Sequence, residues 1–170
     1  MAAYKTKAIS LKTAPFAEAD KLVTLFTREH GKIKAIAKGA RRVPSRFGGR
    51  VETFTYADYF IAKGRSLDII SQCEVIESFQ KLRENPEALP AGFYILKLVN
   101  EGTAEGQKYV ELFDLLLEYL FKLKGGGRGE GKRTAKQFEK EFVILEGIYH
   151  HEHDPAYSLS EHIGKDIRSW

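Results

Sequence analysis

Two alternating runs, residues 21–27 and 32–38, stand either side of the short turn Glu29-His30-Gly31 and constrain this chain more than any other feature. The first carries Leu22, Val23, Leu25 and Phe26 with two threonines, a mix that suits a pleated strand. In the second, period-two alternation puts Ile33, Ala35 and Ala37 on one face and Lys32, Lys34, Ile36 and Lys38 on the other. The pair reads as a hairpin with small apolar residues packed inward and lysines outside. Residues 5–12 alternate before it, and residues 53–62 and 67–71 supply two more β-rich runs around the turn Lys63-Gly64-Arg65-Ser66. Five short antiparallel strands in so little chain predict a small closed barrel, because closure removes the edges that a small open sheet leaves exposed.

The period changes in the second half. Pro86 and Pro90 punctuate an entry, with Pro90 in a first helical turn, and Phe93, Leu96, Val99 and Asn100 begin a helical face. Tyr109, Leu112, Phe113, Leu116, Leu120 and Leu123 recur at helical spacing and predict an amphipathic helix. Thr134-Ala135-Lys136-Gln137 fits a capping box, with Phe138, Phe142 and Leu145 following on one face of a third helix that ends near Gly147. Phe93, Leu112, Phe113, Leu116, Phe138 and Phe142 are the expected shared core. Between the last two helices, residues 124–133 hold five glycines and read as a flexible connector. Their triple glycine lacks the GxxxxGK[ST] spacing of a phosphate loop. The expectation is therefore an α+β chain of 170 residues, large enough to bury a real core: a five-stranded barrel over 1–83 and an α-helical domain over 84–170.

Charge separates along the same line. Residues 28–50 hold eight basic residues against one acidic residue, Glu29, while the whole chain is only +4. Residues 1–83 carry a formal +8 and residues 84–170 a formal −4. Segregation of that kind marks a polyanion-binding face, and nucleic acid is the expected polyanion. Lys32, Lys34, Lys38, Arg41, Arg42, Arg46 and Arg50 are the candidates for phosphate contact, with Phe47, Tyr56 and Tyr59 as candidates for base stacking. Phe54, Tyr56 and Phe60 alternate like core residues, so few of the aromatics are expected to meet a base.

Other chemistry finds little support. No run reaches the roughly 20 apolar residues that a membrane span needs, and residues 1–6 lack the apolar core of a secretory signal, so a cytoplasmic, nucleoid-associated protein is expected. The single cysteine, Cys73, excludes an intramolecular disulfide and a zinc site of the CxxC type, and reads as a small buried hydrophobe. His150, His151, Glu152, His153 and Asp154 are dense in metal-ligating groups, but adjacent residues rarely converge on one ion and no HExxH motif supports them. No metal site, no cofactor and no catalytic residue are expected.

The run from Asp20-Lys21-Leu22-Val23 through Gly31-Lys32 to Ala37-Lys38-Gly39-Ala40-Arg41-Arg42, with Ser45-Arg46 beyond it, resembles the N-terminal domain of the bacterial recombination mediator family RecO. Gly64-Arg65-Ser66-Leu67, Cys73-Glu74-Val75, Phe79 to Arg83, Phe138-Glu139 and the near-terminal residues 162–169, which resemble the family's closing helix, agree in order. The resemblance implies an OB-fold barrel followed by a helical domain, in a protein that binds single- and double-stranded DNA, anneals strands and assists RecA loading. Its implied partners are RecR and the C-terminal tail of the single-strand binding protein, received beside Lys97, Lys108 or Lys122. Two departures stand out. The family's four-cysteine zinc element is missing after Gly147, where Tyr149 and residues 150–154 follow instead, and Thr53 replaces a usual proline. The reading is a shortened, zinc-less relative acting as a non-enzymatic DNA-binding mediator in repair. The rivals are a metal-dependent nuclease and a protein-interaction adaptor.

Overall fold

The computed structural model describes residues 2–167. They divide into two units: one runs up to Ser78 and includes Ala104–Val110, the other takes Phe79–Thr103 and the chain from Glu111 onward.

The first unit is a closed five-stranded barrel. Its strands are β1 (Ala3–Phe16), β2 (Asp20–Thr27), β3 (Gly31–Ala37), β4 (Tyr56–Ala62) and β5 (Asp68–Glu77), in the order β1-β2-β3-β5-β4 with β4 closing on β1. The β2–β3 hairpin pairs Thr27 with Gly31 and Lys21 with Ala37. Its turn is tied by Thr27, whose hydroxyl donates to the Gly31 carbonyl at 2.7 Å and accepts from the His30 amide at 2.9 Å. Closure corrects one expectation. The β3–β5 pair is parallel, so the barrel is not wholly antiparallel.

β1 serves two neighbours, pairing with β4 through residues 3–9 and with β2 through residues 8–16, and its register shifts between Ser10 and Lys12. That bulge bends the strand around the barrel. Buried Ser10 sits at the bend, where its hydroxyl donates to the Val51 carbonyl at 3.2 Å and its carbonyl accepts from the Phe54 amide at 2.8 Å. Val23, Leu25, Ala35, Ala37, Tyr59, Ile61 and Ile70 fill the interior. In β4 the inward residues are Ala57, Tyr59 and Ile61, so the expected alternation of Tyr56 and Phe60 as core is out of phase. Phe54 causes the shift: it is buried with φ at 78°, and this left-handed residue resets the parity before the strand begins.

Ala104–Val110 forms a strap on the barrel. Glu105 bridges Lys32 in parallel and the Gly106 amide donates to the Lys32 carbonyl at 2.9 Å. Gly31 makes room for it, since φ there is 70° and a Cβ would stand 2.3 Å from the Gln107 carbonyl oxygen.

The second unit is helical: α1 (Gln80–Arg83), α2 (Ala88–Gly102), α3 (Val110–Gly125), α4 (Glu130–Leu145) and α5 (Pro155–Ile163). Leu112, Phe113, Leu116, Phe138 and Phe142 are buried as expected, but Phe93 is 51% exposed. Residues 91, 94, 95, 98 and 99 form the buried stripe of α2, and Phe93 falls opposite it. The Tyr119 and Phe138 rings meet at 5.4 Å, and Phe142 lies where a Cβ on Gly102 would stand 2.8 Å away. A capping box at Thr134 is not formed. α4 starts four residues earlier, because a bare Gly131 backbone lets the helix approach the Glu87 carbonyl, where a Cβ would stand at 2.9 Å. Of the expected connector 124–133, only residues 126–129 lie outside helices. They are tethered, with the Gly127 amide donating to Glu130 and the Gly129 amide to Glu87, each at 2.9 Å.

Asp154 precedes α5, Pro155 opens it and left-handed Gly164 ends it. The expected closing helix over 162–169 thus stops at Ile163, and Arg168 and Ser169 lie outside the described residues.

Glu139 is a buried carboxylate in this core. Its Oε1 accepts from the Tyr94 hydroxyl, while Oε2 has no hydrogen bond and only the Lys136 ammonium at 3.4 Å. Burial pushes its carboxyl above the usual range, against the lowering pull of Tyr94 and Lys136 and with a raising push from Asp154.

Candidate nucleic-acid interface

The basic segment between β3 and β4 is a folded loop. Its first turn is pinned by the Gly39 amide, which donates to Asp20 Oδ1 at 2.8 Å, and by the Arg41 amide, which donates to the Ala19 carbonyl at 2.9 Å. Ala40, Phe47, Val51 and Phe54 then turn inward and are buried. Lys21 pairs with Glu52 near the far end. These apolar anchors decide where the cations go: Arg41, Arg42, Arg46 and Arg50 lie between them and are all exposed, as is Lys38 at the end of β3. Arg46 is steadied by donating to the Ser71 carbonyl at 3.1 Å and by stacking 4.8 Å from the centre of the Phe47 ring.

Ion pairing separates these cations from several others on the barrel, although Lys12, Lys63 and Arg65 are likewise exposed with no carboxylate within ion-pair distance among the described residues. Lys5 and Lys7 lie 3.9 and 3.0 Å from Asp58, Arg28 lies 3.1 Å from Glu29, and Lys108 of the strap lies 2.9 Å from Glu29. The Lys108 hydrogen bond leads the effects that hold the Glu29 carboxyl below its usual range. Lys34 is exposed but paired with Glu105 at 3.2 Å. Among the described residues, no carboxylate stands within ion-pair distance of Lys38, Arg41, Arg42, Arg46 or Arg50. Uncompensated cations clustered on one loop attract a polyanion far more strongly than the same number of ion pairs.

The structure therefore gathers five of the seven expected phosphate contacts and sets two apart. Lys32 is 9% exposed beneath the strap, and Lys34 faces Glu105 across a groove of about 490 Å³ that Ser66, Leu67 and Asp68 also line. The stacking candidates fare worse. Phe47 and Tyr59 are core residues without a free ring face, and Tyr56 is half-buried. Aromatic content alone carries no sign of which way a loop or strand turns its rings. The sequence gives no sign of Glu105 and sets Lys108 on the helical domain and not on the barrel, since residues 104–110 alternate with neither period.

Cys73 lies under the loop and its thiol donates to the Arg50 carbonyl at 3.4 Å. Burial pushes it up to about 11, which keeps it a neutral thiol. Residues 150–153 form an exposed turn with the His150 and His153 rings 5.5 Å apart. Among the described residues, no three histidine, cysteine or carboxylate side chains are placed to hold a metal ion. No helix among them is long and apolar enough to cross a membrane.

Residues 1–79 match the family model for the recombination protein O N terminus, and residues 83–139 match the model for its C terminus. The chain is 41% identical over 147 residues to the DNA repair protein RecO of Pelotomaculum thermopropionicum, across 86% of this chain and 56% of that protein. It is 42% identical over 147 residues to the DNA repair protein RecO of Alkaliphilus metalliredigens, across 86% and 59%. With that of Acaryochloris marina it shares 40% over 121 residues, across 71% and 41%. The chain thus spans about half the length of the curated relatives it matches. A closed five-stranded barrel leading into helices, two consecutive family models and this level of identity agree: the chain belongs to the recombination protein O family, RecO.

Proposed function

We propose that the chain is a DNA-binding mediator of recombinational repair that performs no covalent chemistry itself. The observation that carries this reading is the loop with its cations at Lys38, Arg41, Arg42, Arg46 and Arg50 exposed and uncompensated among the described residues. They would neutralise phosphates and release counterions, a mode that accepts single and double strands alike because it reads charge and not sequence. With few aromatic faces on offer, binding rests on phosphates more than on stacked bases. The family supports the remaining steps of the proposal: annealing of complementary strands, and RecA loading together with RecR and the tail of the single-strand binding protein. A cytoplasmic location, by the nucleoid, goes with that role.

Fluorescence titration of labelled single-stranded DNA across a salt series tests the reading. About five phosphate contacts at about −0.7 each give a log–log slope near −3.5. A slope of zero, or DNA cut during incubation with Mg²⁺ or Mn²⁺, would overturn it, the second outcome in favour of a nuclease.

A further inference from the structure

The helical unit carries an open groove of about 400 Å³ between α3 and α4. Its floor is Leu115 of α3 with Ile144 and Leu145 of α4, and the last two are 52% and 39% exposed. Helical spacing builds the rim. Glu111, Asp114 and Glu118 recur at i, i+3 and i+7 along α3, and Glu141 stands one turn before Ile144 on α4. Lys122 lies 3.2 Å from Glu118, and Glu141 accepts from the hydroxyl of Tyr119, whose pKa is raised by burial first and by that carboxylate second. Glu111, Glu118 and Glu141 against one lysine leave the rim negative. Such a groove fits an apolar tip flanked by cations, through apolar burial inside and charge complementarity outside.

The chain itself presents that pattern. At Arg41-Arg42-Val43-Pro44-Ser45-Arg46 the Val43 side chain is 97% exposed, and all three arginines are exposed around it. Ala40 and Phe47, buried on either side, fix the base of the tip. We propose that this tip on one copy docks in the α3–α4 groove of a second copy, with Val43 and Pro44 on the apolar floor and the arginines on the acidic rim. The contact is heterologous, since each molecule offers one half of it at each of two places and copies join head to tail. Its small area makes it weak, and its charges make it sensitive to salt. On the reading above, which only this last step rests on, DNA and a second copy compete for the same arginines.

Sedimentation velocity of the full chain, free of DNA and in low salt, over concentrations up to about 0.5 mM, tests the contact. The average mass of the wild type should rise with concentration and fall back in about 0.5 M salt. Arg41→Glu with Arg42→Glu, or Glu111→Lys with Glu118→Lys, should weaken association about tenfold or more, each with a thermal melt that stays cooperative. An equimolar mixture of the two variants should associate again, because one keeps the native groove and the other the native tip. A wild type that stays monomeric, variants that associate like it, or a mixture that stays apart would each overturn the proposal. The groove variant should keep its affinity for DNA, so failure of self-association and failure of DNA binding are read in separate experiments.

Discussion

Glu139 shows what one buried residue can impose on a small helical core. Its ionised form is disfavoured by burial, and the Tyr94 hydroxyl and Lys136 ammonium recover only part of the lost solvation. The unfolded carboxyl titrates near about 4.3, and the folded one higher. Stability is therefore fully present below the unfolded value and is lost as pH rises through the folded one, by about 1.4 kcal/mol for each unit between them. Glu139→Gln cannot titrate, so the wild type should gain on this variant as pH falls from 7 towards 4.5 in urea unfolding. Parallel pH profiles for the two proteins would remove Glu139 as the source. The residue is hard to suspect from sequence, because a glutamate between Phe138 and Lys140 reads as part of a solvated face. Only the closeness of α2 reveals that Tyr94 is its partner.

Among the elements, the strands and the long helices were legible because each obeys one period over enough residues. What was not legible depends on contacts between distant segments. Thr134 and Gln137 form a plausible cap pattern, yet α4 runs through them because Gly131 permits close approach to α2. In β4 the inward parity passes to Tyr59 after a single left-handed residue, Phe54, which alternation cannot register. The strap is the clearest case, visible only through the Gly106 amide on Lys32 and the bare Gly31 backbone beneath Gln107. Gly31→Ala should cost about 1–2 kcal/mol from its left-handed backbone alone and should also push the strap away. Hydrogen exchange at Gly106 should then quicken about tenfold or more, while the paired amides of β2 and β3 stay protected. Unchanged exchange at Gly106 would show that the strap is held without this glycine.

For the whole molecule, the sequence revealed the imbalance of charge but not which cations are already spoken for. Lys34 reads as equivalent to Arg41 until the structure places Glu105 beside it. Charge reversal of Lys38, Arg41 and Arg46 together should weaken DNA binding about tenfold or more, whereas reversal of Lys97, Lys122 and Lys140 on the helices should leave it within about twofold. Equal losses in a filter-binding titration would place the DNA site elsewhere. The strap also bears on how this protein can be divided. Chain that leaves the barrel after Ser78 comes back to it at Ala104, so residues 79–103 are an excursion between two pieces of one barrel. A fragment cut at the obvious border after β5 would lose the cover over Lys32 and carry a vacant shelf at Gly31. Gene fusions, truncations and domain exchanges that respect the barrel must keep residue 110, and with it the first helices, because the two units are interleaved along the chain.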